Sequence, residues 1–445
     1  MVANNHISIE PSHSIGPRET ARSLKIVHFS TEGAQGGAGR AAYNIHRSLL
    51  GTGCDSWMVV ANNSKPESRI LNGYGGSVRG RIRNSIIQRA QTRLLSEINP
   101  RSTFFPDRYA TIDLAKLALP MIPEIIHLHW VSRFLTSRQI RGLWERYRTP
   151  IVWTAMDLAP LTGGCHYSYG CTGFEKQCGE CRVIRSSGRD DASRSSLESK
   201  RRWLRDVPIT FVGATEWVID KVYRSSLFSR ARAVKIPYGI DQTIFFPVER
   251  ASARRLLNLP IDRKIIFFGA TDHNDERKGM SYLVEALAHL HERVPSSDRP
   301  LVLIAGQSKS ELMERIRFDR LELGYLSDER VLACAYQAAD LFVCPSVEDA
   351  GPLMIPESLM CGTPVVAFAE CGGAPDYIRS GINGYLAESR SASDMARGIQ
   401  QVMEQSDTGL ITQESCREGA ARECAMETQA SRYRALYEEL TDQNA

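Results

Sequence analysis

Two carboxylates, Asp349 and Glu357, flank seven residues in Ser346–Phe368, SVEDAGPLMIPESLMCGTPVVAF. A carboxylate can accept from two vicinal hydroxyls at once, so the pair suits sugar recognition, with Glu357 on a ribose and Asp349 on a second sugar. The turn around Gly351, Pro352 and Leu353 can offer backbone N–H groups to a ligand. A plainer reading of Glu357 is a carboxylate that favours the dipole of the helix it opens. A second constellation is CHYSYGCTGFEKQCGEC, in which Cys165, Cys171, Cys178 and Cys181 follow the spacing C-x5-C-x6-C-x2-C. Four thiolates so spaced can close a tetrahedral structural zinc site with no open position. Two disulfides are the main alternative, which a reducing compartment disfavours. Catalytic thiols would need a paired base, and none is evident.

Other residues carry weaker signals. In TEGAQGGAGRAAYNIHRSL, Gly36 and Gly37 would let backbone N–H groups approach a phosphate beside Arg40. A bare strand-to-helix turn explains them equally, and the pattern is not a G-x-G-x-x-G dinucleotide fingerprint. Arg277 and Lys278 in GATDHNDERKGMSYLVEAL, read alone, are solvated surface cations. His127 and His129 in IIHLHW and Asp157 in IVWTAMD stand at the ends of apolar runs. His129 at its strand end is the one placed to face a cleft, with His127 as the alternative, although a lone strand histidine is more often structural.

Positioning such groups takes strands and helices in alternation. LKIVHFS, WMVVA, IIHLHW, IVWTAMD and ITFVGAT read as buried strands with helical stretches between several of them. The pattern restarts after VKIPYGIDQTIFFP with KIIFFGAT, the helix MSYLVEALAHLHERV, LVLIAG, the helix ERVLACAYQAA, LFVCPS, a short helix PESLMCG and PVVAF. Alternation of this kind implies parallel sheets covered on both faces, here two doubly wound α/β domains. Ligands then sit beyond the carboxyl ends of the strands, in the cleft between domains. A chain of 445 residues accommodates two such cores.

Composition narrows the classes. With 42% hydrophobic and 24% charged residues the chain is an ordinary globular protein, and a net charge of +4 gives no electrostatic case for nucleic acid. Met1–Ser23 is polar, and no window reaches the length of an apolar membrane span. A cytoplasmic location is expected, either free or peripheral on the inner face of the membrane. Peripheral contact would run through RGRIRNSIIQRAQTRLLSEI, near 79–98, a basic amphipathic helix with Arg79, Arg81, Arg83, Arg89 and Arg93. Its plainer reading is a surface helix on the N-terminal domain.

On these motifs the chain resembles the retaining glycosyltransferases of family 4, which have the GT-B fold, and within them the colanic-acid and exopolysaccharide branch. That family carries a Glu, seven residues and a second Glu followed by A-x-x-x-G-x-P-V-V. Here Asp349 takes the first position, with Glu348 beside it to share the role, and Glu357 precedes SLMCGTPVV. The resemblance implies that Asp349 positions the donor sugar, Glu357 the ribose and Lys278 the donor diphosphate. Arg277 would substitute for an arginine where this chain has Ala270. Gly36, Gly37 and Arg40 match the family's G-G-A-x-R-A-A, near the donor phosphates. HLHW and the four cysteines recur in the branch, the latter on a loop beside the cleft.

One break stands out: the family's T-L-H-D histidine is Met156 here. The expected domains are a disordered tail 1–23, an acceptor-side domain 24–236 with the Cys-rich loop 165–181, a linker 237–262, a nucleotide-sugar-binding domain 263–425, and a helix 426–445 returning to the N-terminal domain. The implied activity is hexose transfer, with retention, from a UDP- or GDP-sugar to an exopolysaccharide or lipid-linked oligosaccharide. No catalytic metal is expected, since cations and a helix N-terminus can stabilise the leaving diphosphate. Asp157 and His129 join Asp349 and Glu348 as catalytic candidates. Two rivals remain at this stage: a catalytically silent sugar- or partner-binding protein, motivated by Met156, and a zinc-dependent nucleic-acid binder.

Overall fold

The computed structural model describes residues 22–62, 67–73, 86, 89, 104–108, 112–115, 117–185, 187–307 and 311–443. Residues 1–21 of the expected tail lie outside them. So does the expected basic helix, apart from Ile86 and Arg89, which are helical and exposed. No helix among the described residues is long and apolar enough to cross a membrane.

The first sheet contains β1 (Lys25–Glu32), β2 (Asp55–Asn62), β3 (Ile70–Asn72), β4 (Ile125–Leu128), β5 (Ile151–Thr154), β6 (Ile209–Gly213) and β7 (Ala233–Lys235). Its order is β3-β2-β1-β4-β5-β6-β7, and all pairs are parallel. The second contains β8 (Ile265–Gly269), β9 (Leu301–Ala305), β10 (Arg320–Gly324), β11 (Leu341–Cys344), β12 (Val365–Phe368) and β13 (Gly384–Ala387). Its order is β10-β9-β8-β11-β12-β13, again parallel throughout. Central strands such as β4, β5, β8 and β11 are buried at every position. This is what apolar runs covered by helices on both faces require. In each sheet the chain order reverses beside the first strand, at β1/β4 and at β8/β11, which opens a crevice at the carboxyl ends.

The segment joining the sheets is not all connector. Helix Arg250–Leu256 places Ala253 in the core of the second domain, and Leu259 joins it there. The expected linker 237–262 therefore contributes its later residues to that core, because their apolar side chains have nowhere else to be buried.

The last helix, Met426–Asp442, crosses back to the first sheet. Tyr433, Leu436, Tyr437 and Leu440 are buried with Leu24, Ile26, Ile45, Leu49, Ile125 and Val152. Each such side chain contributes roughly 1.5–3 kcal/mol on burial. The helix also closes a buried polar network. The Tyr437 hydroxyl lies 2.7 Å from His127 Nδ1, and His127 Nε2 lies 2.7 Å from the Thr154 hydroxyl, which meets Tyr433 at 2.9 Å. Beside it, His28 Nδ1 and His129 Nε2 are 2.9 Å apart, and His46 meets Ser56 at 2.7 Å.

Burial, reinforced by neighbouring imidazoles, holds His28 and His127 well below the usual histidine range. Burial and then His46 lower His129 to about 3, and burial and then Arg69 lower His46 to about 4. Unfolding returns all four to the ordinary value of about 6.5. The unfolded chain therefore binds protons that the native state refuses, and stability falls as pH drops below that value. The slope is up to about 1.4 kcal/mol per pH unit for each histidine. Urea unfolding should show a marked loss of stability from pH 7 to pH 5, and a shallower loss in His46→Gln. Equal slopes in the two proteins would rule this linkage out.

Candidate active site

The carboxyl ends of the two sheets face each other across a cavity of about 1210 Å³. Gly36, Gly37, Arg40, Asp157, Lys278, Asp349, Gly351, Pro352 and Leu353 all line it. Gly36 adopts φ +65° at the turn into helix Gly36–Gly51, which aims the start of that helix at the cavity. Gly279 has φ +70°, and a Cβ there would sit 1.9 Å from the Pro345 carbonyl oxygen. Only glycine lets the Lys278 turn lie so close to the loop after β11.

That approach creates the central contact. Lys278 Nζ donates to Asp349 Oδ2 at 2.6 Å. Burial works against both charges. Asp349 nevertheless holds the Lys278 ammonium above its usual range, and Lys278 with Arg277 holds the Asp349 carboxyl below its own. Both groups are therefore charged at neutral pH, a cation and an acceptor side by side at the strand ends.

A second pair joins the domains. Arg40, from the first, is hydrogen-bonded to Glu357, from the second, and lies 3.3 Å from Glu329. Glu357 lies in the first turn of helix Met354–Met360 and also accepts from the Tyr336 hydroxyl at 3.2 Å. Burial raises the Glu357 pKa despite Arg40. A dipole-only role does not describe this residue, since its carboxylate reaches across the domain boundary.

Three expected residues have other partners. Glu348 does not share the place of Asp349. Its carboxylate accepts from the Ser168 amide at 2.8 Å, the Ser168 hydroxyl at 2.9 Å and the Tyr169 amide at 2.8 Å. Arg277 donates to the Glu348 carbonyl at 3.0 Å and to Asp275 at 2.6 Å, with its guanidinium 3.6 Å from the Tyr167 ring centre. It thus braces the Cys-rich loop and is not among the residues lining the cavity. His129 is 1% exposed, is turned into the histidine network, and lines a smaller side cavity with Trp130, Met156 and Asp157 but is not among the residues lining the large one.

The four loop cysteines are free thiols, so neither disulfide is formed. Burial first, and then the other three sulfurs, push Cys165 up to about 12. Burial also raises Cys178 and Cys181. Among the described residues the group whose donor atoms all come within 4.8 Å of one another is His28, His127 and His129, and both nitrogens of His127 are already bonded to hydroxyls. The cysteines are not gathered that tightly, whereas a zinc ion holds each sulfur at about 2.3 Å. Bonds from the segment that follows also hold the loop region: Asp191 accepts from the Cys181 amide at 2.8 Å, and buried Lys200 donates to the Thr162 carbonyl at 2.7 Å.

Two assignments escaped sequence reading. Glu348 ties the loop across the domain boundary, and His166, one residue after Cys165, is bonded to Asp157. His166 stands directly after Cys165 in the cysteine run, and its spacing alone pointed to no partner for it.

A model of the family described as Glycosyl transferases group 1 matches residues 262–405. The D-inositol 3-phosphate glycosyltransferase of Corynebacterium jeikeium is 31% identical over 330 residues, covering 71% of this chain and 72% of that protein. Its namesake from Mycolicibacterium smegmatis is 33% identical over 193 residues, 41% of this chain and 42% of that protein. Among solved structures, sucrose-phosphate synthase from Thermosynechococcus elongatus superposes with TM-score 0.65 at 19% identity, covering 95% of this chain and 100% of that one. Anabaena Alr3699/HepE in complex with UDP and glucose superposes with TM-score 0.60 at 13% identity, over 93% and 100%. The two-domain architecture is thus the GT-B fold.

The charge-assisted bonds from Glu348 generate a test of the loop. Glu348→Ala should speed amide hydrogen exchange at Ser168 and Tyr169 by about tenfold or more, since one such bond is worth about 1.5–3 kcal/mol. Unchanged protection at both amides would show that the loop is held by other means.

Proposed function

Because this chain belongs to the group 1 glycosyl transferases, we propose that it moves a hexose from a UDP- or GDP-activated donor to an exopolysaccharide or lipid-linked oligosaccharide acceptor, with retention at the transferred carbon. The observation that carries the reading is the charged pair Lys278–Asp349 on the wall of the interdomain cavity. The donor diphosphate would take the ammonium of Lys278 from Asp349, freeing that carboxylate to accept from donor sugar hydroxyls. Glu357, released from Arg40, would accept from the ribose, and Arg40 would turn to the phosphates together with the N–H groups around Gly36 and Gly37.

Breaking the sugar–phosphate bond places negative charge on the diphosphate, and Lys278 with Arg40 would stabilise it. Same-face attack then needs the acceptor hydroxyl held near the anomeric carbon, its proton passing to the departing phosphate oxygen. The printed title of the HepE complex names UDP and glucose, which supports the class of donor. A second acceptor class is favoured by the inositol phosphate in the relatives' names. Both classes belong in the same assay.

A thermal-shift screen over nucleotide sugars should raise the melting temperature with UDP- or GDP-hexoses, because such a ligand binds only the folded chain. Incubation of the bound donor with oligosaccharide and with inositol phosphate acceptors should then give product from one class, with the anomeric configuration kept. Lys278→Ala should weaken nucleotide binding by about tenfold or more. Wild-type affinity in that variant would remove Lys278 from the donor site.

A further inference from the structure

The Cys-rich loop brings one more ionisable side chain to the cleft. His166 is 4% exposed, and its Nδ1 lies 2.6 Å from Asp157 Oδ2. The other oxygen of Asp157 accepts from the Ala159 amide at 2.8 Å, so the carboxylate is itself fixed. The Trp130 indole N–H points at His166 Nδ1 from 3.2 Å, a contact that by itself asks for a lone pair there. The Asp157 carboxylate is closer and carries a full charge, and a lone pair facing it at 2.6 Å would be repelled, so the proton belongs on Nδ1. In the neutral ring Nε2 is then a bare acceptor.

That nitrogen has no hydrogen-bond partner among the described residues. The ring is nevertheless held firmly. It lies edge-on to Phe105 and Trp130, with ring centres 5.1 and 5.6 Å away, and the His166 carbonyl accepts from the Leu158 amide at 2.9 Å. His166, Asp157 and Trp130 line the same cavity as Lys278 and Asp349. A buried acceptor with a fixed tautomer, a fixed ring and no internal partner is the pattern of a group kept for a ligand.

We propose that His166 is a substrate-binding residue whose Nε2 accepts a hydrogen bond from a sugar hydroxyl in the cleft, with Asp157 as the positioning residue that sets its tautomer. The proposal rests on the reading of the chain as a nucleotide-sugar-dependent transferase. The hydroxyl keeps its proton throughout, so His166 exchanges no proton with the substrate. It belongs either to the donor hexose or to the acceptor, and the two sources are separable.

The test compares His166→Phe, which keeps the ring volume without an acceptor, with His166→Gln, which restores one. His166→Phe should lower kcat/KM for transfer by about 10- to 100-fold, and His166→Gln should recover most of the loss. The affinity for UDP or GDP alone should stay within about twofold in both. If donor hydrolysis without acceptor falls in parallel, the hydroxyl is the donor's. If only transfer falls, through the acceptor KM, it is the acceptor's. Wild-type kcat/KM in His166→Phe, or an equal loss of nucleotide affinity, overturns the proposal. A second measurement needs neither a folded variant nor turnover. In histidine 15N spectra of the unaltered protein, saturating nucleotide sugar, with or without acceptor, should shift His166 Nε2 while nucleotide alone does not. Binding of both substrates without that shift also overturns it. A protein that binds no nucleotide at all would instead remove the donor reading.

Discussion

The cleft depends on buried charges that meet across it and at its wall. The carboxylates of Asp349 and Glu357 are buried while their partners Lys278 and Arg40 are partly exposed, and a buried carboxylate is costly unless its partner is close and well aligned. Lys278 and Asp349 keep each other charged, whereas burial outweighs Arg40 at Glu357. The pairs also decide how the domains meet, because Arg40 comes from the first turns of one domain and Glu357 from a helix of the other. An anionic, hydroxyl-rich ligand replaces such a pair at small electrostatic cost, since each protein charge exchanges one partner for another of the same sign or polarity. A neutral, apolar ligand would strand both charges.

The Cys-rich loop is drawn into that constraint. Glu348 grips its backbone from the second domain, and Arg277 stacks on Tyr167 while donating to the Glu348 carbonyl. One acidic residue and one basic residue, neighbours in space through the carbonyl of Glu348, thus couple a loop of the first domain to the strand ends of the second. Asp191 and Lys200, from the helix that follows the loop, add bonds to the Cys181 amide and the Thr162 carbonyl.

What the sequence revealed and what it hid divide along physical lines. The central strands were legible, because burial on both faces demands continuous apolar runs such as KIIFFG and LVLIA. The four strands not recognised, β3, β7, β10 and β13, are the outer strands of the two sheets. They have a neighbour on one side only and partly exposed side chains, so RLELG and GYLA carry no apolar run to read. The cavity-lining residues were legible where a motif was local, as at Gly36, Lys278 and Asp349. Glu348 was assigned wrongly in detail because its partners, Ser168 and Tyr169, are far away in sequence, and no spacing rule reaches that far. His129 was placed in the cleft because its strand end was visible, while the network that claims it depends on β1 and the returning helix.

Met156 gains a physical account in the same way. Its side chain is 8% exposed, belongs to the large apolar cluster that also contains Ala214, Tyr238 and Ala270, and lines the interdomain cavity beside Trp130, Asp157 and His166. A thioether there gives the cavity wall an apolar surface, where an imidazole would have given it a donor and an acceptor. Asp157, the next residue, lines the same cavity and meets an imidazole on His166, delivered by the loop that begins with Cys165. The carboxylate–imidazole pair at the cleft is thus assembled from chain segments that only folding brings into contact.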